Sequence, residues 1–212
     1  ALDNLAESNT VVCDTVANLN VCYLTELYEA ESNTADRIKQ MAKTSCKSSL
    51  NIEKFIARLE NANGISYAPM QKKAIELALN NQVLVITGGP GTGKTTILKG
   101  ILKLYDELEF ETCLAAPTGR AAKRMSELSG NEASTVHRLL CAKMSEDGEA
   151  VVFSKNEDDP LKCDALILDE CSMVDITLMS AILEAIRPNC RLVLVGDADQ
   201  LPSVGPGNVF SD

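Results

Sequence analysis

The sequence predicts an α/β fold in which helices cover a mainly parallel sheet, preceded by a small hairpin-plus-helices module. Three observations carry that expectation. Val83–Thr87 is a short apolar run that breaks into a glycine-rich turn and then into a helical pattern, the order of strand, loop and helix. Further apolar runs at Thr112–Ala116, Ala165–Leu168 and 192–195 have the length and uniform hydrophobicity of strands covered on both faces. Helical stretches at 118–128 and 175–186 separate them, the alternation of a parallel sheet.

The elements before that sheet read in order. Residues 10–13 and 20–23 are β-prone pieces around Asn18 and pair as a hairpin. A hairpin of that size is marginal in water, so it leans on the next helix or on further sequence. From Leu24 to about Thr44, Leu27, Tyr28, Ala35, Ile38, Met41 and Ala42 recur close to an amphipathic helical period. A second helix starts at Asn51, carries Ile52, Phe55, Ile56 and Leu59 on one face and stops at Gly64. Residues 1–64 therefore form a partial packing or interaction module, and 65–212 the main domain. Pro69 suits the first turn of the helix that leads into the first sheet strand. After the glycine turn, Ile97, Leu98, Ile101, Leu102, Leu104 and Leu108 give a helix with a buried face. A polar insertion at about 144–162 holds a further strand candidate at 150–153 and the hairpin-turn pair Asp147-Gly148. It is expected to project from the end of the sheet.

Bulk properties narrow the function classes. With 45% apolar residues in 212 the chain can build one substantial core plus an appendage. No apolar run approaches a membrane span, and the N-terminus lacks a basic-then-apolar leader. The eight cysteines contain no Cys-x-x-Cys. A reduced cytoplasmic protein with no metal cluster is expected. The net charge of −10 argues mildly against a nucleic-acid partner, but the charge is uneven. Every charged residue up to Asp36 is acidic, whereas Arg120, Lys123, Arg124, Arg138 and Lys143 outnumber Glu127 and Glu132 between Pro117 and Lys143.

The chemistry concentrates at strand ends. Residues 88–95 fit G-x-x-x-x-G-K-[ST], a phosphate-binding loop. Gly89, Pro90, Gly91, Thr92 and Gly93 let the backbone curl so that N–H groups point at phosphate. Lys94 reaches the β- and γ-phosphates, the Thr95 hydroxyl ligates Mg²⁺, and the helix that runs on through Thr96 presents its positive end. Residues 166–170 end an apolar strand in Asp169 and Glu170. Ligands gather at the C-terminal ends of such strands, so Asp169 holds the metal and Glu170 orients and deprotonates the attacking water. Residues 194–202 repeat the logic, with Gln200 able to donate and accept hydrogen bonds to sense the γ-phosphate. The 114–123 stretch is a strand-to-helix junction without acids, where Thr118, Arg120 and Lys123 favour a second phosphate. Two phosphate-attracting junctions in one domain suggest a polymeric phosphate partner. His137, the only histidine, stands beside Arg138. It has no nucleophile pattern around it, and a polar contact to nucleic acid is its functional reading.

Together 88–96, 116–123, 135–139, 169–175 and 196–207 resemble, in that order, the motifs of RecD-like DNA helicases of superfamily 1. The match runs from about Tyr67 to Asp212, and 24–42 looks like the helix that precedes the motor in stand-alone RecD-like enzymes. The resemblance implies a RecA-like P-loop NTPase domain whose ATP hydrolysis drives 5′-to-3′ movement on single-stranded DNA or DNA junctions. It implies that Gln71 reads adenine, that Lys94 and Thr95 hold phosphates and Mg²⁺, and that Asp169 and Glu170 serve metal and water. It further implies that Gln200 couples nucleotide state to DNA grip, that Pro117, Thr118, His137 and Arg138 line the DNA track, and that 144–162 is the strand-separating pin. Repair or recombination proteins are its implied partners.

The family motor has a second RecA-like domain that supplies arginines to the transition state, and that domain is missing from these residues. An absent arginine finger costs ~10³–10⁵ in rate. The resemblance therefore implies a piece of a longer enzyme that binds nucleotide weakly, hydrolyses it slowly and unwinds nothing by itself. An AAA-type ATPase driving assembly rearrangement, a small-molecule kinase and a DNA-binding module with a vestigial ATP site are the competing readings.

Overall fold

A two-residue turn sets the first structured unit of the computed structural model, which describes residues 2–145, 147–148 and 150–212. Ala17 and Asn18 take φ of 49° and 65°, the mirror-image turn whose twist suits two antiparallel strands. Strand β1 (Val11–Val16) accordingly pairs with β2 (Leu19–Leu24), from Val16 opposite Leu19 out to Val11 opposite Leu24. A short helix, α1 (Leu2–Glu7), precedes the hairpin and had no signal in the sequence. The hairpin does lean on the next helix, α2 (Thr25–Ala42), with the Tyr23 and Tyr28 rings 5.7 Å apart.

Caps define the following helices. Asn51 accepts a hydrogen bond from Lys54 N at 3.0 Å to start α3 (Ile52–Asn63), and Gly64 closes it in the left-handed region at φ 62°. Pro69 opens α4 (Pro69–Asn80). Between them Glu60 accepts from Tyr67 N at 2.8 Å and pairs with the Lys72 ammonium, fixing the angle at which α4 leaves.

The remaining chain alternates strand and helix: β3 (Val83–Thr87), α5 (Lys94–Glu107), β4 (Thr112–Ala116), α6 (Gly119–Ser129), β5 (Ala133–Thr135), α7 (Val136–Leu139), β6 (Ala142–Met144), β7 (Val151–Phe153), β8 (Ala165–Leu168), α8 (Ile176–Ala185) and β9 (Arg191–Gly196). β3, β9, β8, β4 and β5 form, in that spatial order, a five-stranded sheet whose neighbours are all parallel. Alternate residues feed two cores. Ala115, Leu166, Leu168, Leu192 and Leu194 face one, with α8 and Met41 of α2. Leu114, Ala165, Ile167, Val193 and Val195 face the other, with α4 and α5. Cover on both faces is why these strands read as unbroken apolar runs rather than as alternation.

A buried arginine ties helix to sheet. Arg191 donates to the Ala78 and Leu79 carbonyls at 2.6 Å and lies over the Phe110 ring at 5.0 Å, closing the C-terminal end of α4. β5 was not expected. Its Ala-Ser-Thr has no apolar signature and becomes a strand by pairing with the end of β4. In the insertion, the β6–β7 ladder begins at Ala142 and ends at Phe153. The chain then turns back, with Leu161 buried and its N–H on the Ala185 carbonyl at 2.8 Å. The projection is thus shorter than 144–162. No helix of the described residues is long and apolar enough to cross a membrane.

Candidate nucleotide and nucleic-acid site

The loop after β3 is shaped by two left-handed glycines, Gly91 at φ 77° and Gly93 at φ 88°. Gly93 has a second constraint: a side chain there would collide with the amide nitrogen of Gln71. Gln71 is itself fixed, because its Oε1 accepts from Ala68 N at 3.0 Å and caps its own helix. Thr92 Oγ1 donates to the Gly89 carbonyl at 2.9 Å, which closes the loop behind Pro90. The Lys94 ammonium folds back over the loop, donating to the Gly88 carbonyl and, at 3.1 Å, to that of Gly89. α5 starts at Lys94, so its free N–H groups face the same space.

The tip of β8 supplies oxygen. Asp169 is anchored by its N–H on the Ala115 carbonyl at 3.0 Å, and its Oδ1 accepts from Glu170 N at 2.9 Å. Burial pushes the Asp169 carboxyl above its ordinary value, while the Glu170 N–H and the charges of Lys94 and Arg124 oppose the rise. Asp169 and Thr95 line one crevice between α5 and α6 with Leu98, Met125 and Leu128. A carboxylate and a hydroxyl are hard oxygen donors of the kind Mg²⁺ takes, and the set fits that ion. Glu170 stands in the left-handed region at φ 55° and ψ 41°, a conformation that costs a non-glycine residue about 1–3 kcal/mol and recurs at functional sites.

The tip of β9 adds a residue that sequence reasoning passed over. Asp197 is only 5% exposed. It accepts from Asp199 N at 3.1 Å and from Gln200 Nε2 at 3.4 Å. Its carboxylate also stands 4.0 Å from where a β-carbon at Gly89 would lie. Gln200 therefore reaches the phosphate loop through Asp197. A side chain at Gly196 would collide with the Phe210 ring, and one at Gly205 with Asp175, the residue that caps α8 at Leu178 N. The glycines of 196–207 thus let the last segment lie flat over the strand tips. Lys94, Asp169 and Gln200 follow three neighbouring strands of the sheet, β3, β8 and β9; the Lys94 charge acts on Asp169, and Gln200 is held by Asp197.

The tips of β4 and β5 lie alongside. Thr118 Oγ1 caps α6 at Ala121 N and Thr135 Oγ1 caps α7 at Arg138 N, both at 3.2 Å. Pro117 is half-buried in the turn before α6, and Arg120 and Lys123 are exposed on its first turns. Lys123 lies 3.9 Å from Glu127. His137 and Arg138 are exposed at the start of α7, with the His137 ring 5.9 Å from Phe153 at the base of the β6–β7 hairpin. Arg124, read in the sequence only as part of a basic face, sends its charge toward Asp169. The Asp197 contacts and the nearness of the Arg124 charge to Asp169 depend on strand order, and the sequence carries no local signal for them.

The AAA domain family matches residues 71–206. The ATP-dependent RecD2 DNA helicase of Deinococcus radiodurans is 37% identical over 185 residues, which cover 87% of this chain and 25% of that protein. The chain belongs to this AAA domain family and is RecD-like. The RecD subunit of the RecBCD enzyme of Mycobacterium tuberculosis is 41% identical over 165 residues, covering 67% of this chain and 28% of that subunit. The corresponding subunit of Buchnera aphidicola is 34% identical over 209 residues, covering 89% of this chain and 34% of that subunit. The RecD-like chain thus spans about a quarter to a third of the length of these relatives. Its parallel sheet and phosphate loop make it an α/β P-loop NTPase of the RecA-like kind.

Proposed function

We propose that this RecD-like chain is the first motor domain of an ATP-dependent helicase that moves 5′-to-3′ on single-stranded DNA. The observation that carries this reading is the adjacency of two sets of groups on one sheet edge. Lys94, Asp169, Glu170, Asp197 and Gln200 gather at the tips of β3, β9 and β8, and the basic starts of α6 and α7 follow at β4 and β5.

In this reading, the loop N–H groups and Lys94 hold the triphosphate, and Gln71 meets the adenine from beside Gly93. Thr95 and Asp169 would hold Mg²⁺, which would supply positive charge to offset the charge that develops on the phosphates. Glu170, at the tip of β8 beside Asp169, would orient the water that attacks the γ-phosphorus and take its proton. Asp197 fixes the Gln200 amide against the loop, so the amide shifts when the γ-phosphate leaves. Pro117, Thr118, Arg120, Lys123, His137 and Arg138 grip the DNA backbone, and the β6–β7 hairpin stands where strands would part. A second motor domain in cis would supply arginines that stabilise the charge of the transition state. DNA junctions are the substrate class. Repair or recombination proteins are the partner class, as the Mycobacterium relative's name as a RecBCD subunit suggests, and the site of action is cytoplasmic.

An AAA-type ATPase would share the phosphate loop and the acidic pair but makes no use of the basic helix starts beside them. A strand-separation assay on the full-length protein, with 5′ and 3′ single-stranded overhangs, tests the proposal. Unwinding from 5′ overhangs that Lys94→Ala abolishes supports it; no unwinding of either substrate, or unwinding from 3′ overhangs only, overturns it.

A further inference from the structure

The N-terminal hairpin carries a feature that ATP and DNA binding do not use. Cys13 and Cys22 are directly opposite each other in the β1–β2 register, and the Cys13 thiol donates to Cys22 Sγ at 4.0 Å. Both side chains are exposed. The register decides the geometry of the pair. Val16 and Leu19 close a two-residue turn, so pairs an even number of steps away are the hydrogen-bonded ones, and the bond from Thr25 N to the Thr10 carbonyl at 3.2 Å keeps that phase at the open end. Cys13 and Cys22 lie an odd number of steps away, in a non-hydrogen-bonded pair. Such pairs bring opposite α-carbons to about 4.5 Å and their side chains closer together, within the separation a disulfide spans. Thiols already in contact need only rotate about their side chains, with no change of backbone register.

We propose that Cys13 and Cys22 form a vicinal dithiol site that low-molecular-weight disulfides oxidise to a cross-strand disulfide. The thiolate of one cysteine attacks a sulfur of the small disulfide, forming a mixed disulfide and releasing one small thiol. The thiolate of the other attacks the protein sulfur of that mixed bond, closing the Cys13–Cys22 disulfide and releasing the second small thiol. The two protons lost by the cysteines end on the two released thiols, and the two electrons have reduced the small disulfide. The bond would lock β1 to β2 through a short loop that holds the turn, so an unfolded hairpin would lose freedom that the folded one has already given up.

The test equilibrates the purified chain with oxidised and reduced glutathione in graded ratios. Free thiols are then alkylated in denaturant, and the protein is read by intact mass and peptide mapping. The expected result is that Cys13 and Cys22 both lose their alkylatable thiols, with the bond mapped between the peptides that hold them and no glutathione on either; glutathione on the exposed Cys141 does not bear on it. Cys13→Ser and Cys22→Ser should each stop at a glutathione adduct on the remaining cysteine. Full alkylation of both cysteines in oxidising buffer, a glutathione adduct that persists on the unsubstituted hairpin, or a covalent dimer linked through Cys13 or Cys22 would each overturn the proposal. None of these readouts depends on motor activity.

Discussion

The Gln71 amide nitrogen occupies the space that a side chain at Gly93 would need, so the first residue of the AAA match is packed onto the last glycine of the phosphate loop. Gly93 also stands at φ 88°, where a β-carbon is strained. Gly93→Ala is therefore expected to cost about 1–3 kcal/mol of stability and to lower nucleotide affinity by about tenfold or more, equivalent to ~1.4 kcal/mol. Gln71→Ala should leave stability within about 1 kcal/mol and remove the preference for ATP over GTP. Urea unfolding with fluorescent-nucleotide titration checks both, and intact base preference in Gln71→Ala would remove Gln71 from the adenine site.

Asp197 is expected to matter for coupling more than for binding. Its replacement by Ala leaves Asp199 N and the Gln200 amide without their acceptor; both residues are exposed and water can replace it, so the loss should be about 0.5–1.5 kcal/mol. DNA stimulation of ATP turnover in the full-length protein should fall about tenfold, with nucleotide affinity changed less than about threefold. Turnover measured against DNA concentration separates the two, and an unchanged DNA response would show that Gln200 works without Asp197.

Phe153 joins the hairpin to the exposed start of α7 through its contact with His137. Such ring pairs contribute about 0.5–1.5 kcal/mol. Phe153→Ala should reduce strand separation several-fold while DNA-stimulated ATP turnover stays near its original value. Equal loss in both assays would mean that the hairpin serves the fold of the motor and not strand separation.

Much of the architecture was legible because each parallel strand is covered on both faces and therefore carries an unbroken apolar run, as Ala165–Leu168 does. Caps at Asn51, Gly64 and Pro69 were equally legible, since one residue type does each job. β5 was not, because Ala133, Ser134 and Thr135 are held by β4 and not by their own propensity. The residues of the phosphate loop announced themselves through fixed spacing. Asp197 did not, because an acid after Gly196 reads as one more turn-former until β9 is seen to lie beside β3. The strained Glu170 backbone left no trace in residue types either.

Glu60 should contribute to the loss of stability in acid. The hydrogen bond from Lys72, with help from Tyr67 N, holds its carboxyl below the ordinary 4.5. A folded value below the unfolded one contributes stability that is present above the unfolded value and is lost as pH falls through the folded one. Stability of the wild type should therefore decline below about pH 4.5 more steeply than that of Glu60→Gln. Denaturant unfolding from pH 3 to pH 7 checks this, and parallel curves would remove Glu60 from the anchoring of α4.

The central claim is that one sheet edge joins a triphosphate site to a DNA track. ATP turnover by the full-length protein, measured with and without single-stranded DNA and in Lys94→Ala, tests it most directly. Turnover should rise on adding DNA and be lost in Lys94→Ala. Turnover indifferent to DNA, or preserved in Lys94→Ala, would contradict it.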